Sequence, residues 1–291
     1  MKFSVIVPTF NRIDLLEKAI ESVKNQTYQN YEIIVVNDNP KDISTIDALI
    51  NKFDKTNVVH HVSSKGGNAA RNTGIIHSRG DLIAFLDDDD IWLPEKLAFH
   101  LKEHEKNPAT GLVYSNCLYV KGDNFKREGI YSAKVPSNVI EAMGRAKYCP
   151  ATSSIVSIKK ECVEKCGFFD ENLVSFQDWD YWFRIAHLFT FAHIPLALVY
   201  FRQHLGDRTS HNENKRRKGL NQICSKWGNK INVAEFTSNV LISIYVKNAN
   251  NAITAGKKYT AFKNSLKLLN TDVLSIKSIK SFIKLSLKLI P

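Results

Sequence analysis

The chain has 291 residues and 44% of them are hydrophobic, enough for one well-buried domain and a smaller appendage. No stretch reaches the roughly 18 uninterrupted apolar residues that cross a bilayer. The five cysteines lack metal-knuckle spacing, which argues against a zinc or disulfide scaffold and predicts a reducing, cytoplasmic location. The net charge of +11 lies in the C-terminal part, because residues 1–210 contain 25 Lys and Arg against 26 Asp and Glu, whereas residues 211–291 contain 15 against 3.

The first hundred residues alternate between strand and helix patterns. The N-terminal apolar run is broken by Pro8 and followed by Asn11 and Arg12, which is typical of a strand and not of a signal peptide. Apolar runs predict strands at Phe3–Val7, Tyr31–Val36, Asn57–Val62 and Leu82–Leu86, and apolar spacing predicts helices at Asp14–Asn25, Ile43–Phe53, Gly67–His77 and from Pro94 onward. Short joins between these elements predict an α/β fold, with helices on both faces of a mostly parallel sheet.

The rest of the chain is less regular. Strands are predicted at Gly111–Val120, at Thr152–Ile158 and, interrupted at Pro195, at Phe189–Phe201, with a helix at Trp179–Leu188 between the last two. After Ser210 the pattern is helical and rich in lysine. We therefore predict a catalytic domain over residues 1–210, with halves at 1–115 and 116–210, followed by a helical, lysine-rich region over residues 211–291.

Four consecutive aspartates, Asp87 to Asp90, follow the fourth predicted strand. Like charges repel one another, so a folded protein needs a reason to hold four of them at a strand end. Carboxylate oxygens are the ligands that Mg²⁺ and Mn²⁺ prefer, and such a cation often bridges to a phosphate. The run therefore predicts either a divalent cation site or a solvated acidic loop.

Three further motifs have one functional and one purely structural interpretation. The segment Gly66–Gly74 contains Arg71 at a helix start and fits either an anion site or an ordinary glycine turn with a surface arginine. Asp178 lies among aromatic residues, where burial would suit a general base, but it also fits a helix N-cap. His204 precedes a polar stretch and is either a ligand or a structural or solvated histidine.

The order of these motifs along the chain resembles glycosyltransferase family 2, whose members have the GT-A fold. The resemblance covers about residues 1–211. The matching segments are Val5–Arg12, Val35–Asp38, the residues Asn68, Arg71, Asn72 and Gly74, then Phe85–Asp90, Gly167–Asp170 and Gln177–Asp180. This family includes enzymes of bacterial capsule, lipopolysaccharide and exopolysaccharide synthesis.

The resemblance implies a role for each matching residue. The nucleotide-binding positions are Pro8, Thr9, Asn11, Arg12, Asp38, Arg71, Asp87 and Asp88. Among these, Asp38 lies where the family contacts the nucleobase, usually uracil. Asp87 and Asp89 match the outer residues of the Asp-x-Asp motif, with Asp89 as the metal ligand and Mn²⁺ or Mg²⁺ as the cofactor. Asp178 matches the catalytic base, and His204 is placed near the metal or the diphosphate.

Three positions depart from the family pattern. Asn37 stands where a first aspartate often follows the second strand, so nucleobase contact depends on Asp38. Gln177 replaces the glutamate that often precedes the base. Asp88 adds a carboxylate inside the motif, which leaves open the set of aspartates that hold the metal.

The resemblance implies an inverting glycosyltransferase that moves a sugar from a nucleotide-sugar donor, in the family usually a UDP-hexose or UDP-N-acetylhexosamine, to a hydroxyl of a glycan or lipid-linked saccharide. An α-linked donor would give a β-linked product. The alternative is a non-catalytic GT-A partner protein that binds a nucleotide-sugar. A dehalogenase-type phosphohydrolase would carry its aspartates after the first strand, and a nucleotidyltransferase or dinucleotide dehydrogenase would have a glycine-rich loop at residues 8–12.

The C-terminal segment Ile276–Ile290 has the pattern of a basic amphipathic helix. Lysines share one face and apolar residues line the adjacent stripe: Lys277, Lys280, Lys284 and Lys288 against Ile276, Ile279, Ile283 and Leu287. Such a helix is predicted either to lie on the anionic inner face of the cell membrane or to pack on the catalytic domain. Nucleic acid binding is not expected, because aromatic residues are sparse among these lysines.

Overall fold

The computed structural model describes residues 1–122, 125–150, 152–203 and 212–269, together with Phe282 and Leu285. Its described strands are β1 (Phe3–Thr9), β2 (Tyr31–Asn37), β3 (Thr56–His60), β4 (Leu82–Phe85), β5 (Ile91–Trp92), β6 (Thr110–Lys121), β7 (Lys126–Tyr131), β8 (Val156–Lys159) and β9 (Thr190–Gln203). Its helices are α1 (Ile13–Lys24), α2 (Ile43–Ile50), α3 (Gly67–His77), α4 (Lys96–Lys106), α5 (Val139–Gly144), α6 (Lys160–Cys166), α7 (Gln177–Ala186), α8 (Glu213–Trp227), α9 (Val233–Thr254) and α10 (Lys258–Leu266). Short 3₁₀ turns cover Pro40–Asp42 and Ser153–Ile155.

All of these strands belong to one sheet with the order β3-β2-β1-β4-β8-β6-β9-β5, and β7 pairs with β6. The strands β1 to β4 are parallel to one another, as expected for strands joined by helices. Beyond β4 the sheet is mixed, because β8 pairs antiparallel with both β4 and β6, while β6 and β9 are parallel. The predicted α/β class is confirmed. Apart from the β6–β9 pair, the parallel strand pairs lie in the first half of the chain.

Several predicted elements differ from those observed by a few residues at their ends, and two predicted strands also differ in their internal structure. The strand predicted from Thr152 begins with the 3₁₀ turn Ser153–Ile155, and only Val156–Lys159 pairs in the sheet. The predicted break at Pro195 is a bulge within the continuous strand β9, where the register with β6 shifts between Ser115 and Asn116. Proline lacks the N–H that a strand needs for pairing, so it is tolerated where the ladder is irregular.

Helix α3 approaches strand β1 closely, and Gly74 permits this contact. A Cβ atom added at Gly74 would lie 2.3 Å from Cγ2 of Ile6, a side chain that is fully buried in β1. Helix α1 covers the sheet with the apolar face that its sequence spacing predicts: Leu16, Ala19, Ile20 and Val23 are all buried. The strands β1, β2 and β4 therefore lie in the hydrophobic core, and Pro8 is their one residue that is partly exposed.

The chain forms two compact units. The first contains Met1–Ser137, Cys149–Asn172 and Gln177–Leu205, and the second contains Asn138–Tyr148, Leu173–Phe176 and Gly206–Pro291. The second unit therefore includes two short stretches that precede residue 210. The predicted domain boundaries at residues 115 and 210 remain predictions.

Helix starts in the second unit follow a common sequence rule. Asn138, Asn212 and Asn232 each accept a hydrogen bond from the backbone N–H three residues later, at the start of α5, α8 and α9. Within the described part of the chain, no helix combines the length and the apolar character needed to span a membrane. Apart from Phe282 and Leu285, the predicted amphipathic helix Ile276–Ile290 lies outside the described residues.

Candidate active site

The polar residues that follow β1, β2 and β4 meet at one edge of the sheet. Because these three strands are parallel, their carboxyl ends lie side by side, and ligands of α/β sheets bind at this edge. Pro8 and Thr9 end β1, Asp38 follows β2 and Asp87 follows Leu86 just beyond β4. The strand ends therefore bring together residues that are almost 80 positions apart in the sequence.

Asp88 ties the end of β1 to the aspartate run. Its carboxylate accepts hydrogen bonds from Thr9 Oγ1 at 2.8 Å and from Arg12 Nη1 at 3.0 Å. Burial raises the pKa of Asp88 to about 6, in spite of the neighbouring positive charge of Arg12. The contacts of Asp88 thus link two loops of the site.

Asp87, Asp89 and Asp90 form a separate cluster of carboxylates. One oxygen of each lies within 4.8 Å of the others, a spacing that suits a divalent cation with hard oxygen ligands. Arg12 Nη1 also lies 3.0 Å from Asp89 Oδ2, and Asp90 Oδ1 accepts a hydrogen bond from the backbone N–H of Arg202 at 3.1 Å. The sequence prediction did not assign Asp90 a role, although it belongs to the same run of four aspartates.

Arg71 on α3 points into the site and pairs with the aspartate run. Its Nη2 lies 2.5 Å from Asp87 Oδ1, and the Arg71 side chain is almost completely buried. The guanidinium group also packs 5.9 Å from the centre of the Phe169 ring. Among the described residues, Nε of Arg71 has no hydrogen-bond partner. The buried positive charge of Arg71 is therefore paired with a partly exposed carboxylate of the protein itself.

Asp178, in the first turn of α7, is the second acidic group at this edge. Its Oδ1 accepts a hydrogen bond from Ser153 Oγ at 3.1 Å. Burial raises the pKa of Asp178 above its ordinary value, and the negative charge of Asp87 adds to this rise. The positive charge of Arg71 and the hydrogen bond from Ser153 lower the pKa and so oppose the rise. A carboxylate with a raised pKa is suited to accept a proton from a hydroxyl group.

Aromatic packing holds the start of α7 in place. Phe169 packs against Tyr181 of α7 and against Phe85 at the end of β4, with ring centres 4.4 and 5.4 Å apart. Trp182 lies 6.2 Å from Phe85 and is fully buried. The aromatic residues that surround Asp178 in the sequence therefore anchor its helix to the strand that carries the aspartate run.

Asp38 is committed to hydrogen bonds within the chain. Its two oxygens accept from His61 Nδ1, Ser64 Oγ and the backbone N–H groups of Lys65 and Gly66, at 2.7 to 2.8 Å. Burial would raise the pKa of Asp38, but these hydrogen bonds together lower it. Asp38 thus fixes the loop that leads into α3, and the predicted nucleobase contact remains a prediction.

Sequence reasoning missed the function of two asparagines on α3. Asn72 Nδ2 donates to the Phe169 carbonyl at 2.9 Å, Asn72 Oδ1 accepts from the Phe169 N–H at 2.9 Å, and Asn68 Nδ2 donates to the Asp170 carbonyl at 3.1 Å. They connect α3 to the turn before α7. The sequence signal was their helical spacing of four residues beside Arg71.

The remaining predicted residues lie at the rim of the same edge or outside the described part. Asn11 is exposed, has a φ of 57° and accepts a hydrogen bond from Asn39 Nδ2. Pro8 is partly buried at the end of β1. His204 lies outside the described residues. The structure thus joins each of Thr9, Arg12 and Arg71 to a carboxylate of the aspartate run.

Comparison with known proteins identifies relatives. The sequence profile described as "Glycosyl transferase family 2" matches residues 4–159. An uncharacterized glycosyltransferase of Rickettsia bellii is 34% identical over 248 residues, which are 83% of this chain and 35% of that protein. A GalNAc(5)-diNAcBac-PP-undecaprenol beta-1,3-glucosyltransferase of Campylobacter jejuni is 39% identical over 130 residues, which are 44% of this chain and 41% of that protein.

Solved structures with the same fold are more distant in sequence. Residues 1–349 of S. aureus TarS, in complex with UDP-GlcNAc, have a TM-score of 0.61 at 17% identity and cover 100% of this chain and 82% of that one. The mannosyltransferase PcManGT from Pyrobaculum calidifontis, in complex with GDP-Man and Mn²⁺, has a TM-score of 0.61 at 20% identity and covers 99% and 81%. At these identities the similarity concerns the fold.

Proposed function

The chain belongs to glycosyl transferase family 2 and has the GT-A fold, and from this premise we propose that it is an inverting glycosyltransferase. It transfers a sugar from a nucleotide-sugar donor to a hydroxyl group of a saccharide acceptor. The observation that carries the proposal is that the adjacent residues Ser153 and Ser154 bond to Asp178 and to Asp87, which brings the proposed base beside the carboxylate cluster at the carboxyl edge of the sheet. A non-catalytic nucleotide-sugar-binding protein with this fold is the alternative.

The donor binds along this edge in our proposal. Arg12 and Arg71 provide positive charge there, and the loop held by Asp38 borders the nucleobase. The proposed nucleotide-binding residues are Pro8, Thr9, Asn11, Arg12, Asp38, Arg71, Asp87 and Asp88. We propose a UDP-linked hexose or N-acetylhexosamine as donor, in keeping with the UDP-GlcNAc bound by S. aureus TarS.

Asp87, Asp89 and Asp90 are the proposed ligands of a divalent cation, Mn²⁺ or Mg²⁺. Their oxygens fit such an ion in spacing and in chemistry, and the mannosyltransferase PcManGT, which has the same fold, is in complex with Mn²⁺. When bound, the ion would offset the negative charge that grows on the leaving diphosphate. His204, the other predicted ligand, remains a prediction.

Asp178 acts as the general base in the proposed mechanism. It accepts the proton from the acceptor hydroxyl, whose oxygen attacks the anomeric carbon from the face opposite the diphosphate. The bond from the anomeric carbon to the acceptor oxygen forms while the bond to the diphosphate oxygen breaks. One displacement inverts the anomeric centre, so an α-linked donor gives a β-linked product, and no second carboxylate nucleophile is required.

The acceptor is a glycan or a lipid-linked saccharide of cell-surface polysaccharide synthesis, such as capsule or lipopolysaccharide, in our proposal. The C. jejuni relative is named for an undecaprenol-linked acceptor, which supports this class. A lipid-linked acceptor would place the enzyme in the cytoplasm at the inner face of the cell membrane. Electrostatic attraction of residues 211–291, with 15 Lys and Arg against 3 Asp and Glu, to anionic lipids would favour this peripheral location.

A donor-hydrolysis screen tests the proposal. The purified full chain is incubated with UDP-, GDP- and dTDP-sugars, with Mn²⁺ or with EDTA, and the released nucleotide is measured. We expect release from one donor, dependent on metal, retained by Asp54→Ala and lost in Asp89→Ala, since Asp54 is an exposed aspartate remote in sequence from the site. UDP binding without turnover of any donor, even with added lipid-linked acceptors, would favour the non-catalytic alternative.

A further inference from the structure

Two consecutive serines lie at the active edge of the sheet, in the 3₁₀ turn Ser153–Ile155 that precedes β8. Strand β8 is antiparallel to β4, so the beginning of β8 lies beside the end of β4, where the aspartate run starts. Ser153 and Ser154 are both completely buried. Buried hydroxyl groups require hydrogen-bond partners, and those of both serines belong to the aspartates of the site.

Ser154 anchors the turn to the aspartate run. Its Oγ accepts a hydrogen bond from the backbone N–H of Asp87 at 3.1 Å. Its carbonyl oxygen accepts from Nε1 of Trp92 at 2.9 Å, and Trp92 is itself buried just beyond the run. The turn is thus attached to both ends of the segment that contains the proposed metal ligands.

Ser153, the neighbouring residue, faces the other acidic group. Its Oγ donates to Asp178 Oδ1 at 3.1 Å, the one hydrogen bond to this carboxylate among the described contacts. The positive charge of Arg71 lowers the pKa of Asp178, so the two groups attract each other, and Nε of Arg71 has no hydrogen-bond partner among the described residues. A carboxylate released from Ser153 would be drawn toward this buried guanidinium group.

We propose that Ser153 is a positioning residue for Asp178. Its hydroxyl group holds the Asp178 carboxylate away from Arg71 and at a fixed distance from the metal-binding segment. The hydroxyl group occupies one oxygen of Asp178 and leaves the other to the acceptor hydroxyl. Ser154 fixes the turn, so the distance between the base and the aspartate run is set by two adjacent residues. This inference rests on the proposed glycosyltransferase function and adds a residue to its machinery.

The test compares Ser153→Ala with Ser153→Thr in the full chain. With the donor identified by the hydrolysis screen, we expect Ser153→Ala to lower kcat about 10- to 100-fold, the size of effect given by loss of a hydrogen bond to a charged group. The donor KM and the Kd for UDP should change less than about twofold, because Ser153 contacts the base and not the donor-binding residues. Ser153→Thr restores the hydroxyl and should recover most of kcat.

Ser78→Ala is the matched control, since Ser78 is also buried but its Oγ donates to the Ile75 carbonyl at the end of α3, at 2.6 Å, and not to an aspartate of the site. It should leave kcat unchanged. If the kcat of Ser153→Ala stays within about twofold of the wild type, the proposal is overturned. It is also overturned if kcat and UDP affinity fall by the same factor and Ser153→Thr restores neither.

A crystal structure of Ser153→Ala tests the same inference without turnover. We expect the Asp178 carboxylate to rotate toward Arg71, and an unmoved carboxylate would overturn the proposal. A wild-type protein that hydrolyses no donor would instead count against the proposed function, so the two failures are distinguishable.

Discussion

Arg71 Nη2 lies 2.5 Å from Asp87 Oδ1, which joins a buried cation on α3 to the first residue of the aspartate run. The same guanidinium group carries the charge that opposes the rise in the pKa of Asp178. Arg71 therefore stands between the proposed metal ligands and the proposed base. Its sequence context left an anion site and a surface arginine as alternatives, and in the structure the side chain is buried and paired with a carboxylate of the protein itself.

Removal of the Arg71 charge should damage both folding and catalysis. Arg71→Gln removes the ion-pair partner of Asp87, whose side chain is 27% exposed, and the charge that lowers the pKa of Asp178. Loss of this partly buried, charged hydrogen bond should cost about 2 kcal/mol of the free energy of unfolding. Urea unfolding measures this change, and donor hydrolysis by the folded fraction measures activity. Arg79→Gln is a control on an exposed arginine outside the aspartate cluster. An unchanged free energy of unfolding in Arg71→Gln would contradict the role of the pair.

Asp178→Asn separates the base from donor binding. The amide keeps an acceptor for Ser153 but cannot take a proton, so kcat should fall about 10²- to 10⁴-fold, the range for loss of a general base. The affinity for UDP, measured by calorimetry, should stay within about twofold, because Asp178 is not among the proposed nucleotide ligands. Comparable donor turnover in the variant would show that another group accepts the proton.

Asp38→Ala should weaken donor binding more than it slows the chemical step. Without the carboxylate, the N–H groups of Lys65 and Gly66 lose their acceptor and the loop before α3 loosens. We expect the donor KM to rise about tenfold or more while kcat changes less. Steady-state kinetics with the identified donor measure both constants, and Asp54→Ala is the surface control. If the donor KM of Asp38→Ala does not rise, the loop is excluded from donor binding.

Acid sensitivity should arise from histidines buried on α4. Burial and the neighbouring lysines lower the pKa of His104 to about 3, and burial lowers that of His100 as well. Both are neutral when folded and take up a proton on unfolding below their ordinary pKa of about 6.5. Stability should therefore be complete above pH 6.5 and fall by about 1.4 kcal/mol per pH unit for each histidine as the pH decreases toward 3.

His104→Gln tests this linkage, because glutamine can still bond to Ser157 Oγ, the partner of His104 Nε2 at 2.9 Å. The dependence of the free energy of unfolding on pH between 6.5 and 4.5 should become shallower in this variant. His77→Gln, an exposed histidine, is the control and should keep the wild-type slope. Identical slopes in all three proteins would assign the acid sensitivity to other groups.

Local sequence patterns were sufficient for the elements and for the residues at strand ends. The apolar spacing of α1 predicted its buried face, and the strands β1, β2 and β4 were recognised because buried parallel strands are continuous apolar runs. The aspartate run and Asp178 were recognised because the family motifs occur in order along the chain. The elements depend on neighbours within a few residues, and the motifs on their order along the chain, and a single sequence displays both.

Tertiary structure alone decided how the side chains of the site divide their contacts. Asp88 bonds to Thr9 and Arg12, whereas the carboxylates of Asp87, Asp89 and Asp90 cluster together. Four identical residues in a row do not reveal this division of contacts. The contact of Ser153 with Asp178 exists because β8 enters the sheet antiparallel between β4 and β6. Strand order and direction arise from packing over the whole sheet, so contacts between distant residues cannot be obtained from local propensity.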